Sequence, residues 1–179
     1  MKTLRNQLQR YYPYCPHCGQ QLSRKKLNGT SELVCEMCKD VFWLNSKPTA
    51  SVCILNKDQE LLLTRRAISP FKGMWDLPGG FLLLGEDPEK GARREIREEL
   101  GIALPKLTFL GFKMDTWAGI PPQATLNFYY LAKLQKKVTL SAQDDINGFT
   151  WVTLQHVKTK SVAFSCNGRM IEELKRKLL

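Results

Sequence analysis

The sequence predicts an α/β layer fold, in which helices pack against a sheet. Short apolar segments typical of strands recur between residues 49 and 154. Two helical patterns accompany them, one over residues 88–100 and one over Gly168–Leu179. Because strand and helix patterns share one stretch of chain, a mixed layer fold is favoured over an all-helical or all-strand one.

The predicted elements follow one another with short connections. The predicted strands are Thr49–Leu55, Glu60–Arg66, Phe81–Leu84, Leu107–Thr116, Ala124–Leu134 and Phe149–Leu154. Residues 56–59 form a turn between the first two strands. Met170, Ile171, Leu174 and Leu178 recur at helical spacing, which predicts an amphipathic helix at the end of the sequence.

The helix over residues 88–100 has the clearest boundaries. Asp87 is a favourable N-cap, and Pro88 fits the first helical position, where its missing N–H costs no hydrogen bond. Gly101 fits the end of the helix. An apolar stripe predicts that one face packs on a core; its members are Ala92, Ile96 and Leu100.

A second face of this helix carries three carboxylates, Glu95, Glu98 and Glu99, at positions i, i+3 and i+4. Hard cations such as Mg²⁺ and Mn²⁺ prefer oxygen ligands of this kind. We expect the acidic face to stay open to such a cation. The alternative is a solvated helix with ordinary ion pairs, for example between Arg94 and Glu98.

The residues around the helix follow one long pattern. Five residues separate Gly80 from Glu86, and seven residues separate Glu86 from Arg94-Glu95-Ile96. One residue separates this triplet from Glu98-Glu99, and one more separates that pair from Gly101-Ile102. This pattern resembles the signature of the Nudix hydrolases, and Trp75–Gly79 resembles the approach to it. The resemblance implies an α/β/α sandwich around a mixed sheet over residues 48–179.

The same resemblance implies a reaction and a set of site residues. We expect metal-dependent hydrolysis of a pyrophosphate bond in a nucleoside diphosphate derivative of ADP-ribose, dinucleotide or FAD type, by attack of water on phosphorus. The Mg²⁺ or Mn²⁺ ligands would be Glu95, Glu98, Glu99 and the carbonyl of Gly79. Arg94 would orient the acidic side chains, unless it forms only an ordinary intrahelical ion pair.

Two other functions stay open at this point. One is a Nudix hydrolase of oxidised nucleoside triphosphates. The other is a non-catalytic, nucleotide-sensing regulator of the same fold that binds nucleic acid. The intact set of helix-face carboxylates favours an enzyme, because a protein that only binds nucleotides needs no such set.

A further carboxylate is expected from outside the signature. Asp144 and Asp145 precede the strand Phe149–Leu154, and Asp115 lies near the end of an earlier strand. Any of the three could act as a base or as an additional metal ligand. The alternative is that Asp144 and Asp145 only begin a turn towards Asn147-Gly148.

Two CxxC pairs, Cys15/Cys18 and Cys35/Cys38, predict a zinc ribbon within residues 1–47. Four cysteines can bind one structural Zn²⁺ tetrahedrally, and Asn28-Gly29 between the pairs predicts a hairpin turn. Disulfides are the alternative. The chain opens without a signal peptide, so we expect a reducing, cytoplasmic compartment, where such cysteines bind metal.

A zinc ribbon before such a domain resembles the NADH, ADP-ribose and FAD pyrophosphatases. Residues 117–125 read WAGIPPQAT, where the NADH pyrophosphatases have a segment rich in proline and serine. The aromatic side chains that could stack on a nucleobase are Trp75, Trp117, Phe128 and Tyr129. We favour core positions for them, because large aromatic rings mainly supply buried area.

The formal net charge is +10, and the basic residues are concentrated near both ends of the sequence. Such charge attracts anionic substrates or nucleic acid. We favour a solvated surface over a nucleic-acid site, because no nucleic-acid-binding motif accompanies the charge. The expected partner is a nucleotide-type small molecule. The apolar runs are too short to span a membrane, and the oligomeric state, including a homodimer, stays open.

Overall fold

The structure, a computed structural model, describes residues 2–136 and 138–179. The chain divides into two compact units. The first unit contains Met1–Ser46 together with Ala118–Ala124, and the second contains Lys47–Trp117 together with Thr125–Leu179.

The first unit holds one helix and a small antiparallel sheet. Its elements are α1 (Lys2–Tyr11), β1 (Ser23–Leu27), β2 (Thr30–Cys35) and β3 (Asp40–Phe42), with the strands in the order β1-β2-β3. The predicted turn joins β1 to β2: Asn28 and Gly29 have φ angles of 48° and 79°, as a tight hairpin turn requires. The sequence analysis did not predict α1, which contacts β2 through an ion pair between Arg5 and Glu32.

The second unit is built on a seven-stranded mixed sheet. Its strands are β4 (Lys47–Leu55), β5 (Glu60–Arg66), β6 (Trp75–Asp76), β7 (Gly79–Phe81), β8 (Thr108–Trp117), β9 (Gln123–Lys133) and β10 (Ile146–Thr153). The main order is β10-β5-β4-β9-β8, with β6 paired to β5 and β7 paired to β4. The pairing of β4 with β9 is parallel, while β4–β5, β5–β10, β4–β7 and β5–β6 are antiparallel.

Two helices cover opposite faces of this sheet. Helix α2 (Pro88–Leu100) buries its predicted apolar stripe against a cluster that includes Val52 and Ile54 of β4. Helix α3 (Ser165–Leu178) packs on a second cluster that includes Cys53 and Leu55 of the same strand. Successive side chains of a strand point to opposite faces, so the alternation along β4 separates the two cores. The expected α/β/α sandwich is confirmed.

The boundaries of α2 agree with the capping residues. The Asp87 carboxylate accepts hydrogen bonds from the N–H groups of Glu89 and Lys90, at 2.9 and 3.1 Å. Gly101 ends the helix with a φ of 71°, a left-handed conformation that glycine adopts without strain. The sequence predicts both boundaries correctly because each capping residue is adjacent to the end of the helix that it caps.

Three predicted boundaries differ from the structure by three residues. The strand expected to begin at Phe149 begins at Ile146. The strand expected over Phe81–Leu84 is Gly79–Phe81, because the chain turns at Leu83, whose N–H donates to the Glu86 carboxylate at 2.9 Å. The last helix begins at Ser165 rather than Gly168. Its first turn is fixed by Asp115 of β8, which accepts hydrogen bonds from the Ser165 hydroxyl and the Cys166 N–H, at 2.9 and 2.8 Å.

None of the helices in the described part of the chain is long and apolar enough to cross a membrane.

The packing of α2 can be tested by a large-to-small substitution. Leu100 is fully buried, so Leu100→Ala is expected to lower the free energy of unfolding by about 2–5 kcal/mol through lost burial and cavity formation. Urea denaturation measures this change. Leu84 is fully exposed, and Leu84→Ala, the matched control, should change the free energy by about 0.5 kcal/mol or less. Equal losses in both variants would contradict the packing.

Candidate active site

Arg94 joins α2 to the loop that precedes it. Its Nε and Nη2 atoms donate to both oxygens of the Glu86 carboxylate at 2.8 and 2.9 Å, and Nη2 also donates to the carbonyl of Phe81 at 3.0 Å. Its Nη1 atom donates to Glu95 and Glu98, at 2.8 Å each. Arg94 therefore does more than form an i, i+4 ion pair: it orients two of the three predicted carboxylates.

Glu86 in turn holds the loop. One of its oxygens accepts the Leu83 N–H as well as a guanidinium N–H of Arg94. The hydrogen bond from Arg94 is the largest of the effects that lower the pKa of Glu86 to about 2. Because Glu86 stays ionised at neutral pH, the pairing fixes the guanidinium and the loop together.

Glu99 does not lie on an open face, so that part of the sequence prediction is wrong. Its relative exposure is 3%, and its carboxylate accepts a hydrogen bond from the Gly79 N–H at 3.0 Å. Strand β7 passes beside this turn of α2 and buries the side chain. Burial raises the pKa of Glu99 well above its usual value, and the charge of Asp145 raises it further.

Asp145 is the acidic residue from outside the signature that approaches the helix. It directly precedes β10, and its backbone carbonyl accepts the Ala67 N–H at 2.7 Å. Its charge raises the pKa of Glu95 as well as that of Glu99, although burial is the larger cause for both glutamates. Asp145 therefore lies next to the acidic residues of α2.

The other two candidates from outside the signature are placed differently. Asp144 is exposed and has a left-handed backbone, with a φ of 55°. Asp115 is occupied by its hydrogen bonds to the first turn of α3. Of the three aspartates predicted as a base or additional ligand, Asp145 is thus the one beside the helix carboxylates.

Two glycines leave the room that this arrangement needs. A Cβ atom on Gly79 would lie 2.2 Å from the Ala50 carbonyl oxygen, and one on Gly80 would lie 2.6 Å from a carboxylate oxygen of Glu95. Any side chain at Gly79 would push β7 away from β4, and any side chain at Gly80 would displace Glu95. Gly79 is therefore restricted to glycine, because its neighbours are backbone atoms of β4 and its φ is 136°, whereas a side chain at Gly80 would only require the Glu95 carboxylate to move.

The three signature glutamates point in two directions. Glu95 and Glu98 contact Arg94, whereas Glu99 contacts Gly79. The atoms with which they could bind a metal are all oxygens, the ligand type that Mg²⁺ and Mn²⁺ prefer. A divalent cation among them could compensate the buried charge of Glu99, whose neighbour Asp145 adds a second negative charge.

The four cysteines predicted to bind zinc converge in the first unit. Within residues 2–136 and 138–179 they are the one group of three or more His, Cys, Asp or Glu side chains whose donor atoms all lie within 4.8 Å of one another. The sulfur atoms of Cys18 and Cys35 are 3.5 Å apart, and all four cysteines are free thiols. The Cys38 N–H donates to the Cys35 sulfur at 3.3 Å, and this bond is the main reason that the pKa of Cys35 falls to about 7. The pKa of Cys38 is raised instead, mainly by its hydrogen bond with Cys18. The convergence of the four sulfur atoms, rather than these pKa values, is what suits a shared metal ion.

A cavity of about 170 Å³ opens beside the acidic face. Its lining includes Gly79, Gly80 and Asp145 from the site just described. Of the aromatic residues considered for stacking, Trp117 lines the cavity. Phe128 packs against the core beneath α2, and Tyr129 is fully buried.

Several polar residues of the cavity were not predicted from the sequence. They are Thr49, Ser51, Arg66, Asp76, Asn127 and Asn167. Asp76 could have been found, because it is a charged residue within the otherwise apolar and glycine-rich segment Trp75–Gly79. Asn167 gives no such signal, since it stands in an amphipathic helix far along the chain.

Comparison with known proteins identifies the family. The model of the NUDIX domain matches residues 45–174. The chain belongs to the Nudix family. The resemblance inferred from the Gly80–Ile102 pattern is thereby confirmed, and α2 with its acidic face is the signature helix of a Nudix domain.

Curated relatives share parts of this sequence. An ADP-ribose pyrophosphatase of Methanocaldococcus jannaschii is 47% identical over 57 residues, which are 32% of this chain and 33% of that protein. The NAD-capped RNA hydrolase ndx-9 of Caenorhabditis elegans is 26% identical over 147 residues, 82% of this chain and 38% of the relative. The NAD-capped RNA hydrolase NudC of Salmonella typhi is 28% identical over 101 residues, 56% of this chain and 38% of that protein. The chain thus spans between a third and two fifths of the length of these relatives.

Solved structures share the fold. A NUDIX hydrolase from Nitrosomonas europaea superposes with a TM-score of 0.69 at 19% identity, covering 92% of this chain and 91% of the other. The NUDIX domain of Shewanella oneidensis NrtR, solved with ADP ribose, superposes with a TM-score of 0.65 at 22% identity, covering 76% and 91%.

The buried charge of Glu99 predicts an effect on stability. Because its pKa is raised in the folded protein, the ionised side chain destabilises the fold once the pH exceeds the unfolded value of about 4.3. In EDTA at about pH 8, Glu99→Gln should therefore raise Tm by roughly 2–4 °C. Calorimetry at about pH 4 should find the gain lost, since Glu99 is then protonated in the folded state.

The matched control for this measurement is Glu98→Gln. The Glu98 side chain is 45% exposed, so its neutralisation should leave Tm nearly unchanged. A Glu99→Gln variant that is less stable than the parent protein at about pH 8 in EDTA would contradict the electrostatic account.

Proposed function

We propose that this chain is a Nudix pyrophosphohydrolase that requires Mg²⁺ or Mn²⁺. Its substrates are nucleoside diphosphate derivatives of the ADP-ribose, dinucleotide or FAD type. The observation that carries the proposal is the burial of Glu99 of α2 beside Asp145, a residue that lines the cavity. The names of the relatives, an ADP-ribose pyrophosphatase and NAD-capped RNA hydrolases, support the same substrate class.

The donor set fits a hard divalent cation. Glu99 is buried with Asp145 as its charged neighbour, and its hydrogen-bond donor is the neutral Gly79 N–H. Like charges in such a place call for a cation. Glu95, Glu98 and Glu99, with the Gly79 carbonyl, would hold it. When bound, a cation of this type neutralises a diphosphate and lowers the pKa of bound water.

The protein's own residues supply position and proton transfer. Arg94 fixes Glu95 and Glu98 by hydrogen bonds and is itself fixed by Glu86. Asp145, which lies beside Glu99 and lines the cavity, accepts a proton from the attacking water. Water oxygen bonds to one phosphorus as the bridging P–O bond breaks, and the leaving phosphate carries away the bridging oxygen.

The division of the chain into domains is part of the proposal. Residues 1–47 are an N-terminal segment that contains the zinc ribbon (Cys15–Cys38), and residues 48–179 form the Nudix domain. The four converging sulfur atoms and the N–H bond to Cys35 support a zinc site with four cysteine ligands. Such a site is structural, because four protein ligands leave no coordination position for a substrate.

Hydrolysis assays test the reaction. The parent protein is given ADP-ribose, NADH, FAD and nucleoside triphosphates with Mg²⁺ or Mn²⁺, and chromatography measures the nucleotide products. We expect cleavage of a diphosphate derivative, and a fall in kcat of about 100-fold or more in Glu98→Gln, which removes a charged ligand.

Glu89→Gln is the matched control on the same helix, since Glu89 pairs with Arg93 rather than Arg94. It should retain the parent kcat. Preferred cleavage of triphosphates would overturn the substrate class, and an absence of any cleavage would overturn the proposed reaction.

Elemental analysis tests the zinc site. We expect one zinc per chain in the parent protein and a loss of zinc in Cys35→Ser. Cys166 is buried in the core beneath α3, so Cys166→Ser should retain the metal. Absence of zinc from the parent, or disulfides among the four cysteines in mass spectrometry, would refute the ribbon.

Two neighbouring aspartates provide a matched pair for the proposed base. Asp145→Asn should lower kcat by about 100-fold or more, because the carboxylate beside Glu99 can no longer accept a proton. Asp144→Asn should keep the parent kcat, since Asp144 is exposed and turned into a tight bend. Parent-like kcat in both variants would leave these residues with a turn-forming role alone.

A further inference from the structure

The cavity beside the acidic face contains a buried carboxylate that the proposed reaction does not use. Asp76 of β6 has a relative exposure of 4% and contributes to the cavity lining. It belongs neither to the signature helix nor to the Arg94 hydrogen bonds. A buried carboxylate is costly unless it is hydrogen-bonded, so its partners indicate what it does.

A fixed chain of hydrogen bonds holds Asp76. The buried Tyr129 hydroxyl donates to Oδ1 of Asn167 at 2.6 Å, and Nδ2 of the same amide donates to Oδ1 of Asp76. The amide cannot be reversed, because its oxygen would then face a carboxylate. While Asp76 is ionised, Asn167 therefore presents a donor to it, and the Leu77 N–H is a second donor. The carboxylate's remaining acceptor capacity is available to a molecule in the cavity.

The size of the cavity limits what can enter it. A volume of about 150 Å³ accommodates a single aromatic ring, whereas sites for drug-sized ligands begin near 300 Å³. At about 170 Å³, the cavity matches one ring system of a nucleotide.

The walls of the cavity suit a flat, polar ring. Phe81 and Trp117 form an edge-to-face pair with centroids 6.1 Å apart, and the Arg66 guanidinium lies 5.1 Å from the centroid of Phe164. All four residues line the cavity. Aromatic and guanidinium faces stack on heteroaromatic rings, while Asp76 offers a hydrogen-bond acceptor at the ring's edge.

We propose that this cavity binds the nucleobase of the substrate and that Asp76 selects bases with an amino group on the edge that it contacts. The inference rests on the proposed function only in taking a nucleotide as the ligand. Asp76 acts here as a specificity-determining residue, and Asn167 is the positioning residue that holds its carboxylate.

The geometry predicts the effect of the isosteric variant Asp76→Asn. The amide that replaces the carboxylate is neutral and has one acceptor oxygen instead of two. That oxygen either accepts the hydrogen bond from Asn167 or faces the cavity as a neutral acceptor. In both cases an amino-substituted base loses the hydrogen bond to a charged group on which its advantage depends.

Binding of two nucleoside monophosphates tests this without any turnover, since neither contains a pyrophosphate bond. AMP carries a 6-amino group, and purine riboside 5′-monophosphate lacks it. Isothermal titration calorimetry is carried out at about pH 8.5, where Asp76, whose pKa burial raises to about 7, is ionised. We expect the parent protein to bind AMP about tenfold or more tightly than the analogue, as one hydrogen bond to a charged group provides.

The variants complete the test. Asp76→Asn should bind the two ligands with affinities within about twofold of each other, and Asp58→Asn, in an exposed turn, should keep the parent ratio. Equal affinities in the parent protein, or the parent ratio in Asp76→Asn, would overturn the inference. Because binding is measured apart from hydrolysis, a base preference without cleavage would refute the proposed reaction and retain this site.

Discussion

The hydrogen bonds of Arg94 are the interaction on which the arrangement of the site depends. One guanidinium joins Glu86 in the loop, the backbone of β7 and two carboxylates of α2. A guanidinium can do this because its donors form a rigid, planar fork. A lysine would offer a single charged group and could not hold the loop and both carboxylates at once.

The close approach of β7 to α2 destabilises the fold electrostatically, because it buries a carboxylate. Strand β7 buries Glu99 beside Asp145 and supplies a single neutral donor, the Gly79 N–H. Two glycines make this approach feasible, since a Cβ on either would collide with Ala50 or Glu95. Stability alone would favour a neutral residue in place of Glu99. A bound cation would turn the same cluster from a destabilising feature into a binding site, which links the proposed metal dependence to folding.

The cavity places recognition next to the proposed chemistry. Gly79, Gly80 and Asp145 border both the acidic face and the cavity, so a ring bound near Asp76 would place its attached phosphates towards the carboxylates. The polar groups that hold Asp76 come from β9 and α3. Specificity can thus vary through these elements while the signature helix stays unchanged.

Features that depend on neighbouring residues could be predicted from the sequence alone. The ends of α2 followed from Asp87, Pro88 and Gly101, and its buried stripe followed from helical periodicity. The hairpin at Asn28-Gly29, the strand Glu60–Arg66 and the convergence of the cysteine pairs were also predictable, because turn type, strand alternation and short knuckles are local properties. The long Gly80–Ile102 pattern was sufficient to indicate the family.

The contacts between residues far apart in the chain could not be predicted, because they depend on how the elements pack in three dimensions. The burial of Glu99 by β7, the capping of α3 by Asp115 and the approach of Asp145 to α2 join residues separated by 20 to 51 positions in the chain. The contact between Asn167 and Asp76 spans 91 positions. No periodicity or turn signal encodes such contacts, because they arise where the sheet pairing and the packing of helices on it bring separate segments together.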